Sequence, residues 1–243
     1  MQPNLVLIRH GQSIYNNENR FAGWVDTTLT DTGRKQAADA AALLKEVGFK
    51  PDMVLISPLT RTIQTADEML KIMGIPADRI TKDARLVERS YGGLTGKNKA
   101  EALAELGEEK FKEIRRGYAT KPPAMDAVHP MHGDVLKSFN SLMKGTFADT
   151  MPATESLQEV EARVLPFYNE ILKPALLAGK TALVVAHGNS LRALIKIIKE
   201  IPADQINAVE LETAQPTGFT LEQKAGTLKV TADSLKQPIR TLF

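Results

Sequence analysis

The chain has 243 residues, of which 31 are Lys or Arg and 29 are Asp or Glu. That near balance excludes the broad positive field of a nucleic-acid binder, so an anionic ligand must be held by a local cluster of cations. Cysteine is absent, which removes disulfides, thiolate catalysis and sulfur metal sites together.

The length suits a single domain over residues 1–243. No apolar run reaches the roughly 18 residues needed to span a bilayer, and the N-terminus lacks a basic region followed by a secretory apolar stretch. A cytoplasmic protein with no membrane partner is expected.

The first predicted element is a buried strand over Leu5 to Ile8, which ends abruptly at Arg9-His10-Gly11. Thr30 can cap a helix whose inward residues Ala37, Ala40, Ala41, Leu44 and Val47 recur at helical spacing. A second strand follows at Met53 to Ile56. Ser57-Pro58 then reads as N-cap and first-turn proline before Ile63, Ala66, Leu70 and Met73. Residues 117–156 carry Pro122, Pro123, Pro130 and Pro152 with scattered apolar positions, which predicts an elaborated loop over the sheet, a lid-like insertion. Leu157, Val160, Val164, Phe167, Ile171 and Leu172 form another helical stripe, with a kink expected at Pro166. Ala182 to Ala186 is a third apolar strand, running into His187-Gly188 and a helix through Leu191, Leu194, Ile195 and Ile198. Phe219 to Leu221 and Leu228 to Val230 suit an antiparallel edge. The pattern predicts an α/β fold, a mostly parallel central sheet with helices on both faces.

Two strand-His-Gly-helix units in one chain raise the chemistry. Ligands of open parallel sheets bind beyond the carboxyl ends of the strands, so His10 and His187 meet in one crevice if their strands are neighbours. A neutral imidazole can attack phosphorus while a second donates hydrogen bonds to the phosphoryl oxygens. Gly11 and Gly188 would let the backbone approach a phosphate, and the helix start at Asn189-Ser190 offers free N–H groups to an anion. Glu88-Arg89 reads equally as an exposed ion pair, and Arg115-Arg116 as a solvated helix face. His129 and His132 have a spacing two metal ligands could use, but no third histidine and no cysteine stands near them, and no metal is expected.

The motifs "RHGQSIYNNENRFAGW", "ERSYGGLTGKNKAE", "RRGYATKPP", "TESL" and "AHGNSLRALIK" extend from residue 9 to about 199. Together they resemble the histidine phosphatase superfamily, and within it the cofactor-dependent phosphoglycerate mutases. The resemblance implies that His10 is the phosphorylated nucleophile, that His187 stabilises the transferring group, that Arg9 and Arg61 hold it, and that Glu88 is the general acid and base. It further implies substrate binding by Tyr91, Lys99, Arg115 and Arg116, with Ser13, Asn16, Ala22, Gly23, Gly188 and Asn189 completing the pocket. Ser90 stands where the mutases commonly carry histidine, and Lys97 interrupts a familiar run. The implied reaction interconverts 3-phosphoglycerate and 2-phosphoglycerate in glycolysis and gluconeogenesis through a phosphohistidine primed by 2,3-bisphosphoglycerate. The implied partners are small phosphoglycerates, and the implied assembly is a homo-oligomer, dimer or tetramer. Two alternatives use the same residues: a bisphosphoglycerate phosphatase, synthase or related histidine phosphatase, and a non-catalytic binder of phospho-ligands. The binder would need the cations but not His10, Glu88 and His187 together. The stretch after "QPTG" is expected to cover the site less than the closing tail of the mutases does.

Overall fold

The computed structural model describes residues 2–224 and 227–243. The chain runs through β1 (Leu5–Arg9), α1 (Ile14–Asn17), α2 (Asp31–Glu46), β2 (Met53–Ile56), α3 (Thr60–Met73), β3 (Ile80–Lys82), α4 (Lys99–Leu106) and α5 (Glu108–Arg116). It continues through α6 (His132–Leu142), α7 (Leu157–Phe167), α8 (Lys173–Leu177), β4 (Ala182–Ala186), α9 (Gly188–Lys199), β5 (Pro216–Lys224) and β6 (Thr227–Asp233). The sheet order is β3-β2-β4-β1-β5-β6. The first four strands are parallel and the last two antiparallel, so the α/β fold is as expected.

The three continuous apolar runs are β1, β2 and β4, the centre of the sheet. They need no polar alternation because both faces are covered. Leu5, Leu7 and Val184 point to one layer, where they pack on Val160, Val164, Phe167, Leu191 and Leu194 of α7 and α9. Val6, Ile8 and Val185 point to the other, against Ala37, Ala41, Leu44, Ala66 and Met69 of α2 and α3. Thr30 caps α2 as expected, its Oγ1 accepting from Gly33 N. In the β1–β4 register Arg9 faces Ala186. The next residue on each strand is therefore a histidine, and the two emerge side by side.

Two expectations change, those for Ser57 and for residues 117–156. Ser57 does not cap α3; that position belongs to Leu59, and Ser57 is used inside the site. Pro166, where a kink is expected, lies inside α7, and a π turn over Tyr168–Leu172 follows it before α8 begins. Residues 117–156 are not a bare loop, because α6 lies within them. Met125, Val135, Phe139 and Met143 make a small core with Trp24, Val25, Leu59 and Val87, in which Trp24 stacks on Phe139 at 6.0 Å. The stretch after "QPTG" forms the antiparallel edge β5 and β6 and a 3-10 turn at Ile239–Leu242, and none of its described residues lines the site, whose cover comes from the preceding loop through Glu210, Leu211 and Glu212.

Candidate active site

A cavity of about 210 Å³ opens at the carboxyl ends of β1 and β4. It is lined by Arg9, His10, Ser13, Asn16, Ala22, Gly23, Arg61, Glu88, Tyr91, Lys99, Arg115, Arg116, Gly188 and Asn189, every residue singled out for the site except His187. His187 is fully buried behind the wall, its ring centroid 5.1 Å from that of His10. No residue of 117–156 lines this cavity.

His10 is held for attack. Its Nδ1 lies 2.7 Å from Gly11 O, and a carbonyl can only accept, so Nδ1 carries the proton and Nε2 keeps its lone pair. Burial pushes the His10 pKa well below its ordinary value, and Arg61 and Arg9 push it further, so the ring is neutral at pH 7. Gly11 serves a purpose other than approach to phosphate. A Cβ there would stand 2.3 Å from Gly33 O, and one at Gly33 would stand 2.1 Å from Gln12 O. The two glycines let the start of α2 lie against the loop that presents the Gly11 carbonyl. At Gly188 a Cβ would meet Arg9 Nε at 3.7 Å, an ordinary contact.

Around this lone pair stand donors without acceptors. Arg9 Nε, Arg61 Nε and His187 Nδ1 are buried and have no hydrogen-bond partner among the described residues. The two arginines are fixed by carbonyls, Arg9 Nη1 on Leu211 O at 2.9 Å and Arg61 on Val25 O and Gly23 O at 3.0 and 2.8 Å. Burial lowers the Arg61 pKa to about 10, which still leaves it charged at neutral pH. Unsatisfied buried donors are costly, and a phosphoryl group is an acceptor that would satisfy them.

Ser57, which sequence reasoning assigned only to a helix cap, orients the second histidine. His187 Nε2 lies 2.7 Å from Ser57 Oγ, which itself accepts from Leu59 N at 3.5 Å. A Ser57 hydroxyl that donates to Nε2 places the imidazole proton on the unpartnered Nδ1 beside His10, the tautomer that offers a donor to a phosphoryl oxygen. Ser57→Ala is expected to slow phosphoryl transfer about tenfold, less than outright removal of an oxyanion donor. Ser57→Thr should restore the rate. Imidazole ¹⁵N shifts should report loss of the Nδ1–H form of His187 in the alanine variant, and unchanged shifts with an unchanged rate would refute the role.

Glu88 and Arg89 are not an exposed ion pair. Arg89 is fully buried, its guanidinium 4.7 Å over the Tyr91 ring and donating to Ile114 O at 2.8 Å. Glu88 Oε1 accepts from Arg89 N, Asn189 N and Asn189 Nδ2 at 2.7, 3.2 and 3.0 Å. The helix-start N–H expected to be free at Asn189 is thus taken by an internal carboxylate. With Oε1 filled by donors, Oε2 is the oxygen left to carry and deliver a proton. Arg192 fixes the Asn189 amide by donating to its Oδ1 at 3.1 Å, and also holds Arg116 O at 2.7 Å. Arg163 donates to Glu88 O at 2.9 Å and pairs with Glu155 of "TESL" at 2.8 Å, which gives that motif a supporting role.

The far end of the cavity is cationic. The side chains of Lys99 and Arg115 have no hydrogen-bonding or ionic partner among the described residues, while Arg116 pairs with Glu210 at 2.7 Å. Burial and then Arg115 and Arg9 push the Lys99 pKa down to about 8. Like charges crowded without counter-ions require an anionic ligand. Asn16 Oδ1 accepts from both Ser13 N and Ser13 Oγ, which turns its amide nitrogen outward as a further donor. Among the described residues no group of three or more His, Asp or Glu side chains converges as metal ligands. Of the two loop histidines, His129 has both ring nitrogens engaged, with Gly93 O and Met131 N.

Arg20, Phe21, Arg192, Leu211 and the acidic pair Glu210 and Glu212 also line the cavity and were missed. Arg192 had a signal, since it stands three residues after Asn189 on a predicted helix and shares its face. Glu210 and Glu212 had none.

Comparison with known proteins shows the family. The chain is 25% identical to the mycobacterial glucosyl-3-phosphoglycerate phosphatase solved with VO3, with a TM-score of 0.70 over 95% of this chain and 96% of that one. It is 22% identical to a putative alpha-ribazole-5'-P phosphatase of Escherichia coli (TM-score 0.63, 93% and 94% covered) and 24% identical to Bacillus stearothermophilus YhfR (TM-score 0.67, 93% and 94% covered), likenesses of fold. The family model of the histidine phosphatase superfamily (branch 1) matches residues 5–144 and 131–234, and the chain belongs to that superfamily.

Proposed function

We propose that this protein transfers a phosphoryl group through His10 to and from a compact substrate with two anionic ends, the phosphoglycerates being the substrate class. The observation that carries the transfer chemistry is the set of orphaned donors, Arg9 Nε, Arg61 Nε and His187 Nδ1, beside a tautomerically fixed His10. Nε2 of His10 attacks phosphorus and the ester P–O bond breaks. The departing oxygen takes its proton from Glu88 Oε2. In the second half an acceptor hydroxyl returns a proton to Glu88 as it attacks the phosphohistidine, and His10 leaves neutral.

The identity of the acceptor divides two readings. Isomerisation between 3- and 2-phosphoglycerate is supported by the motif resemblance and by Lys99, Arg115 and Arg116 at the far end, which can retain a substrate by its second anion. Hydrolysis is supported by the relatives, since the mycobacterial and Escherichia coli proteins named above are described as phosphatases. The same residues fit 2,3-bisphosphoglycerate: Arg9 and Arg61 would hold one phosphoryl group and Lys99, Arg115 and Arg116 the other. When bound, it supplies the phosphoryl group that loads His10. The arginines supply the positive charge that stabilises the anionic transition state, so chelator is expected to leave activity intact.

Isomer formation and phosphate release, measured side by side at saturating 3-phosphoglycerate with and without 2,3-bisphosphoglycerate, decide between the readings. Isomer formation in excess establishes the mutase, and phosphate release in excess establishes the phosphatase. A pH profile tests the far end. As pH rises through about 8, Lys99 in the free protein loses its charge, so kcat/KM for phosphoglycerate is expected to fall there. Lys99→Arg keeps its charge and should move that limb upward. A wild-type profile flat through pH ~9 would remove Lys99 from the binding role.

A further inference from the structure

The catalytic cavity has a neighbour. A second cavity of about 820 Å³ adjoins it, and the two share Arg115, Arg116 and Glu210 in their walls. The outer cavity is otherwise bounded by Leu103, Glu108, Phe111, Lys112, Asn207 and Ala208, a mixed apolar and hydrogen-bonding lining. Of the residues they share, Arg116 and Glu210 form an ion pair, Arg116 Nη2 to Glu210 Oε1 at 2.7 Å, beside Arg115.

The two partners differ in how firmly they are held. The backbone of Arg116 is anchored through Arg192, and its side chain is 31% exposed. The Glu210 side chain is 64% exposed, and Arg116 is its sole ionic partner among the described residues. An exposed pair of this kind is weak and opens readily, so the partition is a choice of side chain and no part of the folded core. Glu210 also places a carboxylate at the mouth of a strongly cationic pocket, where it neutralises part of the charge that would draw in any phosphomonoester.

We propose that Glu210 sets the size of substrate this site accepts: paired with Arg116, it closes the catalytic cavity to a compact dianion and excludes phosphomonoesters bearing a bulky hydroxylated ring. Removing it joins the two cavities, and the ring then occupies the outer one, over Leu103 and Phe111 and beside Glu108 and Asn207. The inference rests on the phosphohistidine reading of His10 and holds for either fate of the phosphoryl group.

The test compares kcat/KM for phosphate release from sucrose 6-phosphate and from 3-phosphoglycerate in the wild type, Glu210→Ala, Glu210→Gln and Glu109→Ala. The ratio of bulky to compact substrate should rise about fivefold in Glu210→Ala, the scale that an exposed ion pair can withhold. It should rise less in Glu210→Gln, which keeps the bulk and can still accept from Arg116. Glu109→Ala removes an exposed carboxylate from α5 that lines neither cavity, and should leave the ratio near its wild-type value. An unchanged ratio in Glu210→Ala, or an equal rise in Glu109→Ala, overturns the proposal. Labelling His10 in each protein separates the two levels of failure. An unlabelled wild type refutes the phosphohistidine reading, whereas labelled proteins with an unchanged ratio refute only the role of Glu210.

Discussion

His10→Ala is expected to abolish the phosphoenzyme and to lower turnover by roughly 10⁴-fold or more, since loss of the nucleophile removes the route rather than tuning it. On the transition-state scale that is about 5 kcal/mol. The geometry makes the loss specific to Nε2. Nδ1 is committed to the Gly11 carbonyl, and low basicity from burial beside Arg61 and Arg9 keeps the lone pair free at neutral pH. Because His10 titrates well below its ordinary range, its protonation should not shape the pH profile near neutrality. The label from a phosphoryl donor should be acid-labile and base-stable, as a phosphoramidate is. Label retained by His10→Ala would move the nucleophile elsewhere, and the orphaned donors around His10 would then lack their explanation.

Glu88→Gln is expected to cost about 10²- to 10⁴-fold on alkyl phosphates such as phosphoglycerate, the range for loss of a positioned general acid. The substitution is close to isosteric. The glutamine Oε1 can still accept from Arg89 N and from both donors of Asn189, so the strand-end architecture stays in place. What disappears is the proton at the second atom. The loss should therefore depend on the leaving group: large for an alkoxide, which must be protonated as it departs, and small for 4-nitrophenolate, which need not be. Equal losses on the two substrates would show that Glu88 acts by orientation or charge and not by proton transfer. The Asn189→Ala variant should show a milder form of the same leaving-group dependence, because it removes one of the three donors on Oε1, the side-chain amide, while Arg89 N and the backbone N–H of residue 189 stay in place.

These expectations draw on different levels of the molecule. The strands Leu5 to Ile8, Met53 to Ile56 and Ala182 to Ala186 were legible because a strand buried on both faces must be apolar throughout, a pattern that needs no knowledge of its partners. The helical stripes of α2, α7 and α9 were legible for the same local reason. The His-Gly echo at residues 10 and 187 marked two strand ends, and resemblance of motifs attached phosphoryl chemistry to them.

Three things needed the tertiary structure. Strand order placed β4 beside both β1 and β2, which is why Ser57 at the end of β2 meets His187; in the sequence the two residues stand 130 apart and look like an ordinary cap and an unrelated histidine. The core under residues 117–156 depends on Trp24, about a hundred residues earlier, so its apolar positions looked scattered among prolines. The sequence by itself determined the elements and the residue types a phosphoryl site requires, because both follow from local periodicity and side-chain chemistry. Which oxygen of Glu88 is free, which nitrogen of His187 meets Ser57, and which carboxylate pairs with Arg116 were decided only by folding, because each depends on a hydrogen bond or ion pair between residues distant in the chain.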